Sequence, residues 1–226
     1  MTPPASAPPA ALTSALAAER LAVLGGFHPT EEDGTPPGTQ TLLMLGPAEP
    51  GFWAHFTASA EWQDGQPDPM DRWSRRVIGR IACDLGGKAL FPFGGPPYQP
   101  IQRWAIRTGR IWQSPVRLLV SADQGLMVSF RGALALKERI DVPPPVDRPC
   151  EECAKPCLTA CPAGVLNGDG YDVPACHAFL DTAQGGPCLS TGCEVRRACP
   201  VSQGYARLPE QSAYHMGRFH KGSGAA

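Results

Sequence analysis

"CEECAKPCLTACPAG", residues 150–164, carries four cysteines within twelve positions, and the last of them precedes a proline. Disulfide scaffolds, zinc sites and iron-sulfur clusters all use thiols at this density. The choice among them decides how the last third of the chain folds. From Cys150 onward apolar runs are few, so hydrophobic burial alone would not hold the segment together. Nine cysteines occur in all, eight of them between 150 and 199, with Cys83 alone upstream. The opening "MTPPASAPPAALTSALAAER" lacks the basic start and continuous apolar run of a secretory signal. A reducing, cytoplasmic compartment is therefore expected, in which thiolates are free to bind metal.

The spacing Cys150-x2-Cys153-x3-Cys157-x3-Cys161-Pro162 is one residue longer in its middle than the run C-x2-C-x2-C-x3-C-P of bacterial ferredoxins. In that run the fourth cysteine belongs to the other of two clusters. Short spacings let one tight loop carry three thiolates to three irons of one cube, and the proline then redirects the chain. Cys176, Cys188, Cys193 and Cys199 follow, the last again before a proline, Pro200. Two Cys-Pro pairs and eight thiols predict two [4Fe-4S] clusters with exchanged fourth ligands. Cys150, Cys153, Cys157 and Cys199 are assigned to one, and Cys161, Cys176, Cys188 and Cys193 to the other. Two zinc sites of four thiolates each are the alternative, although only one C-x2-C pair is present. Disulfides or a single cluster stand beside it. His177, next to Cys176, is expected to pack or face solvent, because thiolates already complete both sets. Cys83 falls in an apolar helix pattern and is expected in the core.

Working outward, 226 residues of 42% hydrophobic content and net charge -1 describe a soluble globular protein, with no basic field for nucleic acid. No run approaches the ~18 apolar residues of a membrane span. The 26 prolines and 25 glycines cluster and predict long loops. Residues 10–24, "AALTSALAAERLAVL", predict a helix closed by Gly25-Gly26, and "TLLML", 41–45, a buried strand. A helix is expected from Pro69, capped by Asp68, burying Trp73, Val77, Ile78 and Ile81 and ending at Gly86-Gly87. "KALFPF" predicts a second buried strand, parallel to the first through a right-handed crossover. A helix follows around "IQRWAIRTG", and "VRLLVS" with "LMVSFRGALAL" predicts a hairpin around "ADQG" on the same sheet. The prolines of "IDVPPPVDRP" stiffen the chain and mark a boundary. The expected organisation is a flexible Pro/Ala-rich segment with one helix over 1–40, an α+β domain over 41–142, a Pro-rich linker over 143–149, a two-cluster domain over 150–205 and a tail over 206–226, with "KGSGAA" disordered.

With the cysteines placed, the C-terminal third resembles the dicluster module of epoxyqueuosine reductases. That family has a similar cysteine run, a lone cysteine like that of "ACHAFL", and a "GC" segment ending in Cys-Pro. The resemblance continues upstream through "QPIQRWAIRTGRIWQSPVRLLVSADQGLMVSFRGALAL", where Arg103, Trp104, Ala105, Trp112, Leu118, Leu119 and Gly125 fall at matching places. The chain departs from the family where a catalytic aspartate is expected, at Pro96, and where a Gly-Lys-Asn turn is expected, at Ser114, Pro115 and Val116. Proline cannot donate a proton, so epoxyqueuosine reduction by the family mechanism is not expected. A second likeness, to cobalamin-processing chaperones of the CblC type, covers "GFWAHFTASAEWQDGQPDPMDRWSRRVIGRI" through Asp68-Pro69, Asp71 and Gly79-Arg80. Together the two resemblances imply a nitroreductase-like N-terminal domain followed by a small ferredoxin-like dicluster domain, with a corrinoid or flavin as the ligand the first domain can hold. Nitroreductase-like domains often pair, which implies a homodimer.

The residues themselves mark "FPFGGPPY" as a pocket wall. Gly94 and Gly95 let a flat ligand approach the backbone, and Phe93, Tyr98 and Trp112 can stack on it; a rigid surface loop with aromatic anchors is the plainer alternative. No Ser/His/Asp set, phosphate loop or dinucleotide fingerprint is present. His28, His55, His215 and His220 are scattered and read as structural. Three functions follow: an electron carrier serving a redox protein, a reductase acting on a bound corrinoid or flavin through its clusters, or a protein whose clusters only staple a poor core.

Overall fold

The computed structural model describes residues 5–222. In chain order the elements begin with α1 (Ala10–Ala18), β1 (Leu21–Phe27), β2 (Thr41–Pro47), α2 (Phe52–Thr57), α3 (Ala60–Gln63) and α4 (Pro69–Asp84). They continue with β3 (Lys88–Leu90), α5 (Ile101–Arg107), β4 (Ile111–Gln113), β5 (Leu119–Ser121) and β6 (Gly132–Leu136). The cysteine-bearing third adds α6 (Val173–Leu180), α7 (Gly186–Thr191), α8 (Glu194–Arg197), α9 (Pro200–Gly204) and α10 (Pro209–Gly222). The mixture is α+β, and it divides into two compact units. One runs up to Ile111 and resumes over Ser129–Val146; the other comprises Trp112–Val128 and the residues from Asp147 onward. Among the described residues no helix is long and apolar enough to cross a membrane.

The first unit is built on a sheet of order β1-β2-β6-β3, antiparallel throughout. β2 lies between two partners and is buried at every position, which is why its sequence, "TLLMLGP", shows no alternation of apolar and polar residues. α4 packs on β3 and β6. It buries Met70, Trp73, Val77, Ile78 and Ile81, spaced to share one face. Trp73, fully buried, meets the rings of Phe52 and Phe56 edge-on at 5.5 and 5.9 Å. This is the favoured geometry of aromatic pairs, and it fixes α2 against α4.

Several sequence expectations need correction. The helix expected over 10–24 stops at Ala18, and the chain turns at Arg20, whose φ is +52°. The following "LAVLGGF" is β1, hydrogen-bonded along β2, so Gly25 and Gly26 are strand residues and not a cap. A Cβ on Gly26 would come within 2.7 Å of Leu43 Cδ2, so close packing against β2 explains that glycine. β1 also brings the sheet into the segment expected to be flexible over 1–40. The helix from Pro69 forms as expected, but Asp68 makes no side-chain cap bond.

β3 is a three-residue edge strand with Lys88 exposed, and Pro92, which has no N–H to give, follows soon after. It does not pair with β2; β6 fills the place between them, antiparallel to both. "ADQG" does reverse the chain, since Ser121 and Gly125 exchange backbone hydrogen bonds of 3.0 Å. The two runs nevertheless form no hairpin. β5 pairs with β4 in a separate two-stranded sheet, whereas β6 returns to the first unit. Cys83 is exposed, because it stands two positions beyond Ile81 and so on the opposite side of α4. The segment 206–226, expected to be a tail, contains α10, which packs chiefly on α7 and buries Gln211 and Ser212. Of "KGSGAA", residues 223–226 lie outside the described residues.

Candidate metal centre

The second unit has a small core in which thiols take the place of hydrocarbon. Val116, Val120, Leu126, Leu166 and Val195 are buried together with Cys157 and Cys199, and Cys150, Cys161 and Cys193 pack against them half-buried. Val116 comes from the β4–β5 turn, Val120 from β5 and Leu126 from the segment that follows it, all far upstream of the cysteines in sequence.

Cys150, Cys153, Cys157 and Cys199 line one cavity of about 400 Å³. Cys157 is held in a short 3-10 turn, Pro156–Leu158, and Cys199 stands at the start of α9. Most of the remaining wall is apolar, with Pro115, Val120, Leu126, Pro149, Pro156 and Val201. Burial pushes the Cys150 thiol up, the Arg148 guanidinium hydrogen-bonded to it draws it back, and the Cys199 and Cys153 sulfurs add to the rise. Burial likewise raises Cys157, reinforced by Cys199, Cys150 and Cys153. The Lys155 N–H donates to Cys153 Sγ at 3.3 Å. Gly125 stands against Cys199, where a Cβ would lie 3.0 Å from its Sγ and 2.5 Å from the Ser202 nitrogen.

Cys161, Cys176, Cys188 and Cys193 form a second electrostatic group. Burial raises Cys176 and Cys188, and in both cases the Cys193 and Cys161 sulfurs add to the rise. Two donors oppose it: the Tyr171 hydroxyl reaches Cys176 Sγ at 3.5 Å, and the Glu194 backbone N–H serves Cys188. α6, α7 and the entry to α8 carry three of these cysteines, while Cys161 closes the opening run. Beside Cys176 the Phe219 ring of α10 stacks on His177, centroids 4.6 Å apart, and on Tyr171 at 6.2 Å. His177 Nδ1 lies 3.0 Å from His220 Nδ1, and His220 Nε2 is 3.0 Å from Asp181 Oδ1. His177 is thus a packed side chain. Among the described residues no three His, Cys, Asp or Glu side chains converge closely enough for a single metal ion.

Phe93, Gly94, Gly95 and Tyr98 belong to one loop of the first unit, in which Arg75 sits over the Phe93 ring at 5.1 Å and Phe91 stacks on it at 5.2 Å. Gly94 and Gly95 have φ of +117° and +96°, and Tyr98 is 69% exposed. Pro96 is exposed in the same loop. Trp112 belongs to the second unit and packs against its buried cluster. His28 Nε2 donates to the Ile140 carbonyl, 2.9 Å away, and His55 pairs with Glu19 at the same distance. Ser114, which lines the cysteine cavity, and Gly125, which stands against Cys199, were not among the expected site residues, since only the folded β4–β5 turn brings the first there and the reversal after β5 the second.

An α+β chain in which four thiols line one cavity and four more form a second group defines a mixed-fold protein with a cysteine-organised unit. A solved structure of epoxyqueuosine reductase has a similar fold, with a TM-score of 0.52 and 15% identity over 89% of this chain and 68% of that one. No family model matches the chain. No curated protein matches it either.

Proposed function

We propose that the chain carries two [4Fe-4S] clusters and passes electrons to or from a redox protein. The single observation that supports this most is the 400 Å³ cavity lined by Cys150, Cys153, Cys157 and Cys199, which suits a group of several metal atoms held by four thiolates. The second four, Cys161, Cys176, Cys188 and Cys193, would hold the other cluster. Such a cluster, when bound, takes up and returns one electron at a potential set by its surroundings.

The chain's own groups suit that role. The Arg148 guanidinium offsets negative charge at Cys150, and N–H and O–H donors reach the sulfurs of Cys153, Cys176 and Cys188. Donors of this kind favour thiolate over thiol and stabilise the more negative redox state. Cys157 and Cys161 belong to different groups yet are four residues apart, so their Cα atoms are at most about 14 Å from each other even in an extended chain. Groups held by the two sets are therefore near neighbours, as an electron relay requires.

Protein prepared without oxygen is expected to be brown and to contain about eight irons and eight sulfides per chain. Stoichiometric zinc without iron would overturn the reading. A second reading, a reductase acting on a corrinoid or flavin held by the first unit, draws on the Gly94–Gly95 backbone. A Cβ on Gly95 would meet no atom within 4 Å, and exposed Tyr98 stands nearby, so a flat ligand has access. Titration with hydroxocobalamin or a flavin, followed by absorbance, should saturate if this reading holds; an unchanged spectrum removes it.

A further inference from the structure

Ser114 is 5% exposed and lines the cavity of Cys150, Cys153, Cys157 and Cys199, yet among the described residues its Oγ has no hydrogen-bond partner. Its backbone is fully used: the N–H donates to the Leu118 carbonyl at 2.8 Å, and the carbonyl accepts from the Arg117 N–H at 2.9 Å. Only the hydroxyl is left over. A buried hydroxyl with no partner costs about 1–3 kcal/mol, and a group bound from outside the polypeptide is one way to remove that cost. Most of the wall is proline, valine, leucine and alanine; beside the Glu152 carboxylate, the side-chain acceptors that line this cavity are the four cysteine sulfurs.

We infer that the Ser114 hydroxyl donates a hydrogen bond to a sulfur of the cluster held by these four cysteines and raises its reduction potential. The inference rests on the cluster reading above and deepens it. Reduction adds negative charge to the cluster, so an O–H···S bond strengthens in the reduced state and favours it. Ser114 is then a positioning and tuning residue for one cluster, with no counterpart role at the other.

The test uses the full chain, purified without oxygen, with both potentials followed by redox titration and electron paramagnetic resonance. Ser114→Ala is expected to keep full iron content and to disfavour reduction of one cluster about tenfold, which is about 59 mV more negative for a one-electron couple. The other potential should stay in place. Ser114→Thr, which keeps the hydroxyl, should hold the original value, and Ser114→Val, of nearly the same shape, should follow alanine; that pair carries the test if the alanine variant does not fold. Two unmoved potentials with full iron overturn the inference, as does an equal shift of both. Iron-free wild-type protein overturns the cluster reading itself and is told apart by iron analysis before any variant is made.

Discussion

At Gly125 the backbone sits at φ +56°, and a Cβ would press on the Ser202 nitrogen at 2.5 Å and on Cys199 Sγ at 3.0 Å. Left-handed backbone costs a side-chain-bearing residue about 1–2 kcal/mol, and overpacking a filled site adds about 1–3 kcal/mol. Gly125→Ala is therefore expected to destabilise the second unit by about 2–5 kcal/mol and to lower bound iron, measured by thermal melting and iron analysis. Cys157→Ala should cut iron from about eight to about four per chain, since only one of two four-iron groups loses a ligand. Retention of all the iron would refute the assignment of Cys157. Thiol spacing is a local property of the chain, so a grouping can be read from sequence, and Cys150, Cys153, Cys157 and Cys199 line one cavity. Ser114 and Gly125 could not be placed this way, since a serine and a glycine in a turn look the same whether solvent or sulfur faces them. Trp112 packs against the buried cluster of the second unit, a contact its sequence neighbours do not disclose.

Among the elements, α3 is tied to α4 by two arginines. Arg76 pairs with Glu61, Nη2 to Oε2 at 3.0 Å, while Arg72 clasps Asp64 and donates to the Glu61 carbonyl at 2.8 Å. The Arg76 guanidinium holds Glu61 below its ordinary value of 4.5. A carboxylate whose pKa is depressed in the folded state stabilises the fold fully above its unfolded value and loses that contribution as pH falls through the folded one. Melting temperatures of wild type and Glu61→Gln should therefore differ at pH 7 and converge as pH drops below 4.5. A gap unchanged down to pH 3 would show that the ion pair contributes little. Trp73→Ala should cost about 3–5 kcal/mol, the usual penalty for emptying a fully buried aromatic site. α4 could be read from sequence because its apolar residues repeat at the helical period under a proline-led start. β1 could not, because "AALTSALAAERLAVL" is continuous helix-favouring sequence, and only pairing with β2 makes its end extended. β3 and β6 misled for a related reason: a strand, helix, strand order does not disclose a third strand arriving later between the two.

For the whole molecule, the second unit is discontinuous, built from Trp112–Val128 and the chain beyond Asp147. The Pro-rich stretch, where backbone chemistry forbids helix and central strand, contains the change of unit between Val146 and Asp147. The division could not be foreseen at 112–128, whose apolar runs look like any strands until their partners are known. A fragment beginning at residue 147 keeps all eight clustered cysteines but lacks Val116, Val120, Leu126 and Ser114, which surround the first four. It is expected to bind less iron than the full chain and to melt without a cooperative transition, as followed by circular dichroism. Full iron and sharp melting would show that the cysteine third folds unaided. Among the strands of the first sheet, β6 is the last to be made, although its place lies between two earlier ones. At ~5–20 residues per second, ribosomes need a few seconds to extend a nascent chain from Leu90 to Leu136. Through that interval the inner edges of β2 and β3 stay open to sticky neighbours, so yield in a foreign host should respond to translation speed and chaperone supply.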